Sequence, residues 1–222
     1  MRGASLEVSV ATGGAFAENG YLVRDSGAGV AILVDPGAGA PELLEALDAR
    51  GDRLEAIVLT HAHVDHVEGI PAVRARHPDV PIHLHEADLP LYERAEAQAA
   101  AFGLQVDSLP RPTHRLEPGV PFALGGFDLD VRFTPGHAPG HVILVSEAAG
   151  FALVGDVVFL ASIGRTDLPG GHLPSLMTSI REQVLTLPDD MRLLPGHGPE
   201  STVGHERRHN PFLVPQYRGH FA

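Results

Sequence analysis

The chain has 222 residues, enough for one full-sized core, and its 44% hydrophobic and 20% charged residues are the proportions of a globular protein, not a disordered one. A formal charge of −12 argues against a nucleic-acid partner, and no apolar run approaches the length of a membrane span. The absence of Cys excludes disulfides, thiolate ligands and a Cys nucleophile, and the segment from Met1 to Val10 lacks the apolar stretch of a signal peptide, so a cytoplasmic protein is expected.

The chain opens with β-rich runs, Leu6–Val10, Tyr21–Arg24 and Val30–Val34, with a turn at Asp25-Ser26-Gly27. Asp35-Pro36-Gly37 stops the third strand, and Leu43, Leu44 and Leu47 give Pro41–Arg50 a helical spacing that Gly51 would cap. A strand over Ala56–Thr60 leads into a histidine-rich loop, followed by a helix over Ile70–Arg76 with Pro in its first turn. Pro81–His85 reads as a strand and Asp88–Phe102 as one helix ended by Gly103. Pro110–Pro121 reads as a surface connection. Strands follow at Phe127–Thr134, His141–Ser146 and Phe151–Leu153, then a helix over Leu173–Leu187, a strand at Arg192–Leu194 and a polar tail. Groups of strands followed by helices occur twice, with no repeat and no convincing linker. One domain over residues 1–222 is therefore expected.

The decisive segment is Thr60-His61-Ala62-His63-Val64-Asp65-His66, four metal-competent side chains directly after a β-run. A loop leaving a strand can turn His61 and His63 toward one point and Asp65 and His66 toward another. A helix cannot, because residues two apart lie on different faces. Further ligands come from the ends of other strands. His137 follows Thr134-Pro135-Gly136, Asp156 closes Phe151-Ala152-Leu153-Val154-Gly155, and His197 follows Leu193-Leu194-Pro195-Gly196. Three times an apolar run ends at Gly plus a metal-competent residue. Imidazoles and carboxylates suit Zn, Fe or Mn, with Zn the default, and Asp156 is the candidate carboxylate bridging two divalent ions. Two such ions lower the pKa of a shared water, whose hydroxide attacks a carbonyl, with Asp65 available to orient it or take its proton. Asp35 is a candidate acceptor for a ligand His N–H.

At these residues the chain resembles the metallo-β-lactamase superfamily, and most of all its glyoxalase II-like branch, over nearly its whole length. The resemblance implies an α+β fold, a four-layer αββα sandwich. It implies a first metal on His61, His63 and His137 and a second on Asp65, His66 and His197, with Asp156 between them. The loop Ser162–Gly171 and the tail Glu206–Leu213 are similar to those of the short bacterial glyoxalase II-like proteins. In that likeness Arg165 falls where a basic residue holds a glutathione carboxylate. With only a short tail after His197, no long-type C-terminal helical domain is expected, and Asp167 stands where a glutathione-contacting Tyr is expected.

The resemblance thus implies a metal-dependent hydrolase acting on S-D-lactoylglutathione or a related small-molecule thioester. The main alternative is a persulfide dioxygenase with one iron on residues matching His61, His137 and Asp156. Against it stands Pro195-Gly196-His197-Gly198-Pro199, where that group typically has Ala before the His and Asp after it. Lactone hydrolysis is a further alternative. Zinc β-lactamases fit less well, since they are usually exported and many need a Cys ligand. Of the remaining histidines, His83 and His85 read as packing or surface residues, and His77, His114, His205, His209 and His220 as solvated. His141 and His172 neighbour motifs and are candidates to line the site.

Overall fold

A computed structural model describes residues 6–214. Two six-stranded sheets lie face to face. The first carries, in order, β1 (Leu6–Gly13), β2 (Glu18–Asp25), β3 (Val30–Val34), β4 (Arg53–Val58), β5 (Ile82–Leu84) and β6 (His114–Arg115). Its first two pairings are antiparallel and the next three parallel. The second sheet begins with β7 (Phe122–Leu124), β8 (Phe127–Phe133), β9 (Val142–Ser146) and β10 (Phe151–Gly155). After a small hairpin, β11 (Val158–Phe159) and β12 (Ser162–Ile163), it is completed by β13 (Arg192–Pro195) and β14 (Ser201–Thr202), with β13 parallel to β10.

Among the described residues seven α-helical segments flank the sheets. These are α1 (Ala40–Arg50), α2 (Val64–Val67), α3 (Ile70–Arg76), α4 (Leu89–Tyr92), α5 (Ala95–Ala101), α6 (Leu173–Ser179) and α7 (Val203–His209).

The period-2 alternation of the strands sorts their side chains into layers. Val23, Ile32, Val58, Leu144 and Leu153 meet between the two sheets. Leu22, Leu33 and Ile57, one residue out of step with these, face Leu43, Leu47 and Val73 of the helices on the outer side. On the far side Ile143, Ala152 and Val154 pack against Leu176, Ile180 and Val184. Three separate apolar clusters between four layers make the αββα sandwich that the resemblance implied.

Several elements depart from the sequence reading. The single helix expected over Asp88–Phe102 is a 3-10 turn at Glu86–Asp88 followed by α4 and α5. The carboxylate of Asp88 is drawn inward to accept the backbone N–H groups of Ala62 and Gly140, and Pro90 begins a new first turn. The expected Leu173–Leu187 helix widens into a π turn at Ile180–Val184, where the Leu185 N–H donates to Ile180 O. The proline-rich connection contributes β6, which extends the first sheet. In the polar tail Thr202 accepts the His205 N–H through its side chain and starts α7.

Ile57 is fully buried on the central strand that delivers the histidine loop. Ile57→Ala is expected to lower unfolding free energy by about 2–5 kcal/mol in a denaturant titration. A loss under about 1 kcal/mol would show that β4 is not packed as described.

Candidate metal centre

The expected residues come together at one edge of the sandwich, where strands from both sheets end. Beyond Val58 the chain leaves β4, and His63 caps α2 in an extended conformation, so that residues 61–66 wrap around a single point. The ligand atoms of His61, His63 and His137 lie within 4.8 Å of one another, as do those of Asp65, His66 and His197. Asp156 touches both groups. Its Oδ2 is 3.3 Å from His137 Nε2 and 3.4 Å from His197 Nε2, and its Oδ1 is 3.4 Å from His66 Nε2. Asp65 Oδ2 is 3.3 Å from His197 Nε2.

Partners outside the cluster set the imidazole orientations. Asp35 does what its strand-end position suggested, with Oδ2 3.1 Å from His66 Nδ1. Its two oxygens also accept the Thr60 N–H at 2.7 Å and the Thr60 hydroxyl at 2.5 Å. With that hydroxyl donating to Asp35, its oxygen is left to accept from His61 Nδ1 at 3.1 Å. The His137 Nδ1 donates to Arg165 O at 2.7 Å, and His197 Nδ1 to Phe16 O at 3.1 Å. In all four rings Nδ1 is occupied, which turns Nε2 inward. His63 is turned the other way, with Nδ1 2.7 Å from His137 Nε2.

The backbone must come close for this to work. Gly136 sits at φ 137°, and a Cβ there would lie 2.2 Å from Leu176 N. A Cβ on Gly196 would lie 2.2 Å from Asp156 Oδ1. Only glycine fits at either place. Asn19 holds the His197 loop by donating to Pro195 O at 3.0 Å and Gly198 O at 2.8 Å, and Tyr21 donates to Pro195 O at 2.7 Å.

The electrostatics differ between the two groups. Burial keeps His61, His63 and His137 below the ordinary histidine range, His63 at about 3, so these rings are neutral. For His66 and His197 burial opposes a charge, but Asp156 and Asp65 outweigh it. His66 is raised well above the usual value and His197 is raised to about 10. Burial alone would raise Asp156, yet His66 and His197 hold it well below the carboxylate range. Without a metal, protons on imidazoles supply the positive charge that these carboxylates require.

The donor set fits divalent cations. His61 Nε2, His66 Nε2 and Asp156 Oδ1 are buried without a hydrogen-bond partner. Buried polar atoms are rarely orphaned, and here the orphans converge.

Arg165 pairs with Asp167 at the surface at 2.7 and 2.8 Å, while its backbone carbonyl orients His137. His141 does not open onto the site. It is buried behind it, stacked on His61 at 4.8 Å, and its Nε2 accepts the Asp156 N–H at 3.0 Å. His172 is exposed, with its ring on Ser175. His83 stacks on His114 and His85 on Phe133, the packing role expected of them, and His220 lies outside the described residues.

Two buried acids went unread in the sequence. Asp88 ties Ala62, inside the histidine motif, to Gly140, beyond His137. Glu18 is fully buried, with both oxygens unpartnered and Oε1 3.8 Å from His66 Nδ1. A Glu opening a β-run carries no sequence mark that distinguishes it from a surface residue.

Comparison with known proteins agrees with this geometry. The family model described as the metallo-β-lactamase superfamily matches residues 13–197. The chain belongs to that superfamily.

The hydroxyacylglutathione hydrolase GloC of Haemophilus influenzae is 37% identical over 201 residues, covering 90% of this chain and 94% of its own. A solved structure of TTHA1623 in a di-iron-bound form is 40% identical, covers 92% of this chain and 100% of its own, and superposes with a TM-score of 0.83. The BLEG-1 B3 metallo-β-lactamase is 34% identical, covering 94% and 100%, with a TM-score of 0.87. These likenesses support a metal-dependent hydrolase. Among the described residues no helix is long and apolar enough to cross a membrane.

Asp156→Ala is expected to lose at least one equivalent of metal, read by elemental analysis after dialysis, whereas His83→Ala keeps the wild-type content. Full metal in the first variant, or loss in the second, would contradict these roles.

Proposed function

We propose that the protein is a dinuclear metal-dependent thioesterase of the glyoxalase II type, cytoplasmic, acting on S-D-lactoylglutathione or a related acyl thioester. The observation that carries the reading is the placement of Asp156, with one oxygen toward His66 and the other toward His137 and His197. That placement suits one carboxylate shared between two ions. The likeness to GloC supports glutathione thioesters as the substrate class. A one-iron persulfide chemistry needs only His61, His137 and Asp156, and would leave the intact Asp65, His66 and His197 group without a purpose.

Divalent ions on these residues, when bound, supply a Lewis acid for the acyl oxygen and a water of lowered pKa. The chain's own groups then do the rest. Asp65, with Oδ2 3.3 Å from His197 Nε2, is the carboxylate placed to take a proton from the attacking water. Its carboxylate keeps slight access to solvent, at 13% exposure, which lets it orient the attacking water. The leaving group is a thiolate whose conjugate thiol has a pKa of about 8.5, so it departs without a dedicated acid and takes up a proton from water afterwards. Arg165 is the candidate contact for a carboxylate of the thiol carrier. Its surface pair with Asp167 is weak enough to open for that role.

The likeness to BLEG-1 favours β-lactam hydrolysis as a second reading. Metal-loaded protein is expected to hydrolyse S-D-lactoylglutathione with robust, chelator-sensitive turnover, and a chromogenic cephalosporin slowly or not at all. Inactivity on the thioester with metal bound would overturn the reading. Rapid cephalosporin turnover, or oxygen uptake with glutathione persulfide, would identify its replacement.

A further inference from the structure

Beside the metal-binding edge lies a cavity of about 540 Å³ that the chemistry above leaves unused. His63 forms part of its wall, so the cavity begins where the reacting carbonyl must sit. The rest of the wall is almost wholly apolar, drawn from Val64, Pro90, Leu91, Ala101, Phe102 and Leu168. Gln98 is the one amide, and its Nε2 is already engaged with Leu91 O at 2.8 Å. Arg94 is the one cation, exposed at the start of α5, and can line the wall with its stem while its guanidinium stays in water.

A second cavity, of about 730 Å³, lies on the side of Gly164 and Arg165, whose carbonyl orients His137. Its wall includes both Arg165 and Arg181, and Arg181 has no ion-pair partner among the described residues. That wall is mixed: Ile163, Leu173, Met177, Pro211 and Phe212 share it with Asp167 and the two arginines. Its arginines suit the carboxylates of a peptide thiol, and the more uniformly apolar cavity at His63 is left for the acyl group. A lactoyl group has three carbons and a hydroxyl. The apolar cavity has room for roughly 18 water-sized groups and presents almost nothing for that hydroxyl to bond.

We infer that the cavity bounded by His63, Leu91, Ala101 and Phe102 is an acyl-binding site that selects thioesters of medium-length aliphatic acids over lactoyl thioesters. This rests on the thioesterase reading and narrows its substrate class. Each methylene removed from water on entering the cavity strengthens transition-state binding, since the carbonyl at His63 fixes where the chain begins.

The test is a series of S-acylglutathiones from acetyl to octanoyl with the metal-loaded protein. The value of kcat/KM is expected to rise about two- to fourfold per methylene and to exceed that for S-D-lactoylglutathione at the longer end. Ala97 and Ala101 line the cavity from the exposed side of α5, so a larger side chain there fills it without disturbing the core. Ala101→Phe and, independently, Ala97→Phe are expected to compress the octanoyl-to-acetyl ratio at least tenfold. A flat or falling series, or a rise that both variants leave intact, overturns the inference. Calorimetric titration with S-octylglutathione and S-methylglutathione reads the cavity without turnover. The octyl compound binds more tightly to wild type, and the difference disappears in both variants. Equal affinities overturn the acyl site even if thioesters are hydrolysed. Absence of hydrolysis across the series, with that difference in affinity present, overturns the thioesterase reading instead.

Discussion

The edge of this fold is organised around an electrostatic demand. Glu18, Asp35, Asp65 and Asp156 are largely or wholly withdrawn from water within one cluster of imidazoles. Carboxylates in such a place must be neutralised, hydrogen-bonded or paired with a cation. Asp35 is satisfied by Thr60 and His66, but Asp156 Oδ1 and both Glu18 oxygens have no hydrogen-bond donor. Protons on His66 and His197 meet the demand in part, and divalent cations would meet it fully. Metal ions on these residues would allow this many acids to share a low-dielectric space.

The sandwich supplies the rigidity that the cluster needs. The candidate ligands lie just beyond strands of both sheets, and β4, β10 and β13 are buried over most of their length, whereas β8, before His137, alternates buried and more exposed residues. A second layer of contacts then links loops that are distant in sequence. Asp88 bonds to both the His61 and His137 loops, Asn19 and Tyr21 grip the loop of His197, and His141 holds the backbone of Asp156. These groups touch no substrate, yet they decide where the lone pairs point.

The candidate ligands were legible in the sequence because their signal is local. An apolar run ending in Gly and a metal-competent residue can be recognised without knowing the fold, and His137, Asp156 and His197 each carry that mark. The supporting acids carry none, since the burial of Glu18 and Asp88 is created by elements far away in the chain. The same limit explains the misread helices. Asp88–Phe102 has helical composition throughout, but the inward turn of Asp88 toward Gly140 is a tertiary contact that no periodicity announces. The acyl cavity was likewise hidden, because its walls come from α2, α4 and α5 and from the loop around Leu168.

The most direct test of this account is a crystal structure of the protein grown with manganese or zinc, with anomalous scattering collected at the metal edge. Two peaks about 3.5–4 Å apart are expected, one against His61, His63 and His137, the other against Asp65, His66 and His197, with Asp156 reaching both. A single fully occupied peak on His61, His137 and Asp156, with Asp65 and His197 turned away, would contradict the dinuclear centre.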